Sequence, residues 1–148
     1  SKICLCSARA VETYWNKFSA PLLDRIDMRI FVDNEGISHD TARTTTAELR
    51  TEIARAVKTQ RKRQGKKNAK LLPEEIARCC PMSADGRKSL DNAAMRCGFS
   101  PRAVSSSIKV ARTIADMAGC TVIQEAHVKE AVQYRKACTG FLLENVDG

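Results

Sequence analysis

Apolar residues recur every three or four positions along most of the chain after residue 44, which is the spacing of helices with one buried face. Thr45-x-x-Glu48 is a capping-box pattern and predicts the start of a long helix. Pro73 suits a first helical position and predicts a short helix through about Cys80. One face of the long helix carries Leu49, Ile53, Ala56, Val57 and Gln60.

Cap residues mark two other helices. Ser83 suits the N-cap of a helix that stops at Gly98. Thr121-x-x-Gln124 is a second capping-box pattern, which predicts a last helix that runs to about Ala137. Four or five helices with short connections predict a small helical bundle.

The helix after residue 99 has the clearest pattern. Ser100 suits its N-cap and Pro101 its first position, with Phe99 and Val104 spaced as a hydrophobic staple, and Gly119 ends it. Its apolar face carries Val104, Ile108, Ala111, Ala115 and Ala118, and its polar half carries Arg102, Ser105, Lys109, Arg112 and Asp116. We expect the last two of these, at i,i+4 spacing, to form a structural pair.

The first forty residues have a different character. Residues 7–18 predict a short helix capped by Ser7, residues 20–26 a turn or one helical turn, and residues 28–32 a strand. Residues 33–43 read as a polar connector, so we place a domain boundary there, between residues 1–40 and 41–148. A dense apolar group is expected to form an exposed patch through which the chain self-associates; it consists of Tyr14, Trp15, Phe18, Leu22 and Leu23.

Composition narrows the class of protein. A chain of 148 residues with 43% hydrophobic residues is one domain, or one small domain and a piece of another. No apolar run approaches the roughly 20 residues of a membrane span, and no signal-peptide pattern is present, so we expect no membrane partner. The chain lacks an initiator Met and begins in mid-pattern, which we interpret as a fragment of a longer protein.

The seven cysteines are odd in number and scattered. They fit reduced thiols in the cytoplasm better than a disulfide framework, and most of them, such as Cys97 and Cys138, are expected in the core. Cys4-x-Cys6 has the form of half a zinc site, but zinc needs four ligands, so these two residues are only weak candidates and we expect no metal within the chain.

The net charge of +8 suggests a polyanionic partner. Six basic residues fall within ten positions: Arg61, Lys62, Arg63, Lys66, Lys67 and Lys70. The ordinary interpretation is a solvated helix end, where positive charge is favourable. The alternative is contact with a nucleic-acid phosphate backbone.

Two other arginines are candidates for contact with phosphate. Arg25 lies between Asp24 and Asp27, and it is either a surface arginine paired with one of them or a rigidly presented guanidinium whose donors match phosphate oxygens. Arg102 falls at the second position of a predicted helix, where the helix dipole disfavours a cation. Free N–H groups and a guanidinium at one helix end form an anion site, although an exposed arginine that tolerates the penalty is the simpler alternative.

The chain resembles the magnesium-chelatase-related AAA+ ATPases of the ComM/YifB type in four segments. These are Pro21-Leu22-Leu23-Asp24-Arg25-Ile26-Asp27, Ser100-Pro101-Arg102, the run 110–116 and the closing Val132-Gln133-Tyr134-Arg135. The resemblance implies a mainly α fold, with the helical lid domain of an AAA+ protein preceded by the end of the α/β ATPase core. It also implies that Arg25 is an arginine finger acting on the neighbouring subunit's nucleotide. Arg102 would be the sensor-2 arginine, which contacts the γ-phosphate from the lid.

The function implied by the resemblance is ATP-driven remodelling by a homo-oligomeric ring, with ATP and Mg²⁺ bound by the full-length protein. In the ComM branch the substrate would be DNA, on which the ring would act as a helicase in branch migration. In the chelatase branch the ring would drive the insertion of a metal. The sequence contains no G-x-x-x-x-G-K-[ST] loop, so we expect the chain alone neither to bind ATP tightly nor to hydrolyse it. A non-enzymatic basic helical module that binds nucleic acid, or a bare interaction domain, stays open.

Overall fold

The structure, a computed structural model, describes residues 7–15, 17, 19–30 and 45–136. The described part is mainly helical, which confirms the predicted fold class. Its α-helices are α1 (Ala8–Trp15), α2 (Ala20–Asp24), α3 (Thr46–Gln64), α4 (Pro73–Cys79), α5 (Ala84–Cys97), α6 (Pro101–Met117) and α7 (Glu125–Lys136), with a 3₁₀ turn at Asn68–Lys70. Residues 28–30 have no regular secondary structure, so the predicted strand is not formed there; the rest of that strand and the connector 33–43 lie outside the described residues.

Four predicted helix starts are confirmed by their cap hydrogen bonds. At the start of α3, the Glu48 N–H donates to Thr45 Oγ1 (3.3 Å) and the Thr45 N–H donates to Glu48 Oε2 (2.7 Å). Ser83 Oγ accepts the N–H of the third residue of α5 at 3.1 Å, and Ser100 Oγ accepts the corresponding N–H of α6 at 3.0 Å. Ser7 Oγ accepts from the Ala10 N–H at 3.3 Å in α1. Local side-chain chemistry therefore sets where these helices begin.

The prediction for the last helix is wrong in its start. The Gln124 N–H donates to His127 Nδ1 (3.0 Å), and α7 begins at Glu125 rather than after a Thr121 cap. The backbone before α7 has other partners. The carbonyl of Thr121 accepts from Arg112 at 2.7 Å, and Ile123 forms an isolated parallel bridge with Met82.

That bridge joins the chain just before α5 to the chain just before α7. The Ile123 N–H donates to the Pro81 carbonyl and the Ser83 N–H donates to the Ile123 carbonyl, each at 2.9 Å. Gly86 in the first turn of α5 lies against it, since an added Cβ would be 3.3 Å from the Ile123 carbonyl oxygen. The bridge therefore holds the starts of α5 and α7 next to each other.

The core forms around α6, which packs against α3, α4 and α7. Alanines on α6 let the neighbouring helices approach closely. The buried apolar residues are Leu71, Ile76, Cys79, Cys80, Leu90, Ile108, Ala111, Ala115, Ile123, Val128, Ala131 and Val132. Phe99 and Val104 pack against this core, as the staple predicted, whereas Ala118 is exposed.

One expectation about burial is wrong, and one apolar face is only partly covered. Cys97 is exposed because it lies in the last turn of α5, where the helix ends at Gly98; Cys138 lies outside the described residues. The predicted apolar face of α3 buries Ala56 and Gln60, but Leu49 and Ile53 remain 44% and 52% exposed. The first half of α3 therefore has an apolar face that the described residues do not cover. None of the described helices combines the length and the apolar character required to cross a membrane.

Candidate functional site

The turn that contains Arg25 lies against the helical domain through the two carboxylates on either side of it. Ser100 Oγ, at the N-cap of α6, lies 2.9 and 3.0 Å from the two carboxylate oxygens of Asp24. Ser106 Oγ, one to two turns further along α6, donates to Asp27 Oδ1 at 2.5 Å. Both carboxylates are therefore directed towards α6, and neither forms an ion pair with Arg25.

Arg135, in the last turn of α7, contacts the backbone of the same turn. Its Nη2 donates to the Asp24 carbonyl at 2.9 Å and to Asp24 Oδ1 at 3.1 Å, and its Nη1 donates to the Ile26 carbonyl at 3.2 Å. The side chain is buried, and its guanidinium carbon lies 5.8 Å from the centroid of the Phe99 ring. A further bond, from the Arg29 N–H to the Tyr134 carbonyl (2.7 Å), extends this contact beyond the turn.

Arg25 itself is exposed. Its Nη1 donates to the Pro21 carbonyl at 2.8 Å, a bond within its own turn that leaves most of the guanidinium donors available. Among the described residues Arg25 forms no salt bridge, so the surface ion pair with Asp24 or Asp27 is absent there. The structure thus presents a cation to solvent from a turn whose neighbours are hydrogen-bonded to the domain.

Arg102 is also exposed, at the second position of α6. It forms no salt bridge within the described part of the chain, and it lies two residues after Ser100. The hydrogen bond between Ser100 and Asp24 spans 76 positions of sequence. It joins the residue before Arg25 to the cap of the helix that carries Arg102, so the structure brings together the two segments that the sequence singled out separately.

The basic run divides into two groups. Arg63 extends inward, where its Nη1 and Nη2 lie 2.6 and 2.9 Å from the Asp116 carboxylate, and Lys66 Nζ lies 2.7 Å from Glu75 Oε2. These two residues have carboxylate partners, so their inclusion in a free basic surface is not supported. Four members of the run remain exposed: Arg61, Lys62, Lys67 and Lys70.

Asp116 is the centre of a buried polar network that the sequence did not reveal. Arg112 Nε donates to its Oδ1 at 3.1 Å and Asn68 Nδ2 to its Oδ2 at 2.9 Å, in addition to Arg63. Arg112 also donates to the carbonyls of Cys120 and Thr121. The predicted pairing of Arg112 with Asp116 is confirmed, but both side chains are buried rather than on a polar face.

The charges of this network explain the pKa of its carboxylate. Burial by itself raises the pKa of Asp116, but the hydrogen bonds from Arg63 and Asn68 and the charge of Arg112 outweigh burial, so that the pKa of the carboxyl lies below its usual value. The carboxylate is therefore ionised at neutral pH. The network connects the end of α3 and the 3₁₀ turn to the end of α6.

No cluster of metal-ligating side chains occurs within the residues that the structure describes. Cys4 and Cys6 lie outside the described residues, so zinc binding by these two cysteines stays a weak prediction. Cys79 and Cys80 are both buried, and burial raises the pKa of the Cys80 thiol to about 11. A protonated buried thiol is a poor metal ligand.

The sequence that forms this helical domain and its arginine-bearing turn matches a known class of protein. The chain is a member of the magnesium chelatase family, a family of AAA+ ATPases: the domain described as "Magnesium chelatase, subunit ChlI C-terminal" matches residues 43–135, and "Magnesium chelatase, subunit ChlI" matches residues 1–39.

Its relatives include the competence protein ComM of Haemophilus influenzae, which is 35% identical over 133 residues. That alignment covers 87% of this chain and 26% of ComM. YifB of Salmonella typhimurium is 34% identical over 134 residues, which are 88% of this chain and 26% of YifB. The chain spans about a quarter of the length of these relatives. The resemblance to the ComM/YifB type is confirmed.

Proposed function

We propose that this chain is the lid region of a magnesium-chelatase-type AAA+ ATPase and that it supplies two arginines to ATP hydrolysis in a homo-oligomeric cytoplasmic ring. Arg25 acts as the arginine finger on the nucleotide of the neighbouring subunit. Arg102 acts as the sensor-2 residue on the nucleotide of its own subunit. The observation that carries this proposal is that Asp24 and Asp27 are hydrogen-bonded to α6 while Arg25 between them is exposed.

The chemistry of an arginine finger accounts for this arrangement. A guanidinium stabilises the charge that develops on the γ-phosphoryl group, and its planar fork matches the phosphate oxygens. Such an effect depends on position, because a displacement of about 1 Å can cost roughly 100-fold in rate. Hydrogen bonds to Asp24 and Asp27 on either side fix the backbone from which Arg25 extends.

Arg102 suits a ligand that is itself an anion. In the free chain, the positive end of the α6 dipole disfavours a cation at this position by some tenths of a kcal/mol. A bound phosphate reverses that effect, since it interacts favourably with both the helix N-terminus and the guanidinium. Each arginine would contact the γ-phosphate of a different nucleotide, and neither forms a cradle for ATP and Mg²⁺, which other parts of the full-length protein would provide.

Two substitutions in the full-length protein test the assignment. Arg25→Ala is expected to lower kcat by about 10³–10⁵-fold while ATP binding stays nearly intact, because a finger acts on the transition state. Arg102→Ala is expected to weaken ATP binding as well as turnover. Arg87→Ala removes an exposed arginine from α5 and serves as the matched control. Near-normal turnover in Arg25→Ala would contradict the finger assignment.

For the substrate of the ring we propose DNA, with metal insertion as the alternative. Four exposed basic side chains on and after α3 favour a polyanion: Arg61, Lys62, Lys67 and Lys70. The same surface also serves the second candidate function, a non-enzymatic module that binds nucleic acid. The two functions differ in whether DNA stimulates ATP hydrolysis by the full-length protein.

The salt dependence of DNA binding tests this surface. Four basic side chains neutralise at most about four phosphates, so their part of the log–log salt slope is no steeper than roughly −4 for duplex DNA. Replacing all four with glutamine is expected to flatten the slope by up to about that amount. Arg87→Gln with Lys88→Gln, on α5, controls for loss of basic charge elsewhere. An unchanged slope in the fourfold variant would show that the basic run is an ordinary solvated surface.

A further inference from the structure

Arg135 makes hydrogen bonds on both sides of Arg25. Its guanidinium donates to the carbonyls of Asp24 and Ile26, the residues immediately before and after Arg25, and to the Asp24 carboxylate. Only 5% of Arg135 is exposed. We infer that Arg135 is the positioning residue for Arg25, an inference that rests on the proposed role of Arg25 as the finger.

The geometry requires an arginine. Two carbonyls separated by one residue are contacted by two different nitrogens of one planar group, Nη2 for Asp24 and Nη1 for Ile26. A lysine ammonium is a single centre on a flexible stem and cannot reproduce a fork of fixed geometry. Phe99 lies against the guanidinium and restricts its movement further. The path of the chain through residues 24–26, and with it the origin of the Arg25 side chain, is therefore set from α7.

The same contact joins the turn of Arg25 to the start of α6. The Asp24 carboxylate is shared between Arg135 at the end of α7 and Ser100 at the N-cap of α6. Arg102, which would contact the nucleotide of its own subunit, lies two residues after Ser100. Asp24 therefore links the turn of Arg25 to both α6 and α7.

A double-mutant cycle in the full-length protein tests this inference. Arg135→Gln is expected to lower kcat by about 10- to 100-fold, with KM for ATP and ring assembly unchanged, because Arg25 is displaced rather than removed. In a protein that already carries Arg25→Ala, Arg135→Gln is expected to change kcat by no more than about twofold, since a positioning residue has nothing left to position. Lys129→Gln, an exposed change on α7, is the matched control.

Other outcomes distinguish this inference from the proposal on which it rests. Equal kcat losses from Arg135→Gln in the presence and absence of Arg25 would show a general structural role and overturn the inference. Arg135→Lys keeps the charge and is expected to stay folded, with kcat reduced because the fork is lost; wild-type kcat in this variant also overturns it. If Arg25→Ala alone leaves turnover intact, the finger proposal fails instead.

Discussion

Asp116→Asn is expected to destabilise the helical domain by about 3–5 kcal/mol, the typical cost of breaking a buried ion pair. The Asp116 side chain has no exposed surface, and its two oxygens accept from Arg63, Asn68 and Arg112. Asparagine has one acceptor oxygen, and its NH₂ group would face guanidinium donors. Arg112, which is also fully buried, keeps its carbonyl partners but loses its counter-charge.

The effect on the melting temperature follows from the size of the domain. For a domain of about 90 residues, each kcal/mol corresponds to roughly 4–8 °C, so the variant is expected to melt at least about 12 °C below the wild type. Urea unfolding followed by far-UV circular dichroism gives the corresponding free energy. Asp91→Asn, an exposed change on α5, is the control and is expected to stay within about 0.5 kcal/mol of wild type.

The pH dependence provides an independent check. The folded pKa of Asp116 lies below its usual value, so the stability it contributes is present above the unfolded pKa of about 3.9 and is lost as pH falls through the folded value. The difference between wild type and Asp116→Asn should therefore be largest at neutral pH and shrink below about pH 4. A cost under about 1 kcal/mol at pH 7, with unaltered acid unfolding, would refute the assigned role of the network.

Two further predictions concern the chain as a whole. At pH 8 a thiol reagent should modify exposed Cys97 quickly, and Cys79 and Cys80 only on unfolding, as measured by mass spectrometry. Burial protects the latter two thiols and raises the pKa of Cys80 to about 11. The chain should also self-associate in sedimentation experiments, since Leu22 and Ile30 are 47% and 69% exposed. Replacing both with glutamine should yield a monomer, and a strictly monomeric wild type would contradict the prediction.

The starts of α3, α5 and α6 were predictable because each depends on residues three positions apart. Thr45, Ser83 and Ser100 satisfy N–H groups of their own helices whatever the rest of the chain does. Periodicity also identified the buried face of α6. It did not show how far the partner of α3 extends: Leu49 and Ile53 lie on the predicted apolar face of that helix, yet no described element covers them.

The long-range polar contacts were not predictable from the sequence. Arg63 looks the same as its neighbour Arg61 in the printed chain, yet Arg63 pairs with a carboxylate 53 positions away. Which of several arginines lies inward is decided by the tertiary fold. Arg25 and Arg102 were singled out by resemblance and by helix position, and the structure adds that their segments are joined; their roles at phosphate stay predictions.

The parallel bridge between Met82 and Ile123 holds the start of α7, whereas Arg135 makes its contact at the other end of the helix. The helix is tied at its start, and Arg135 lies about 15 Å further along it at 1.5 Å per residue. A rotation of about 5° around the bridge leaves the first turn almost still and moves the far end sideways by about 1.3 Å. That exceeds the few tenths of an ångström over which a hydrogen bond keeps its strength. A small angular change of α7 would therefore displace its far end, which contacts the turn of Arg25, more than its start.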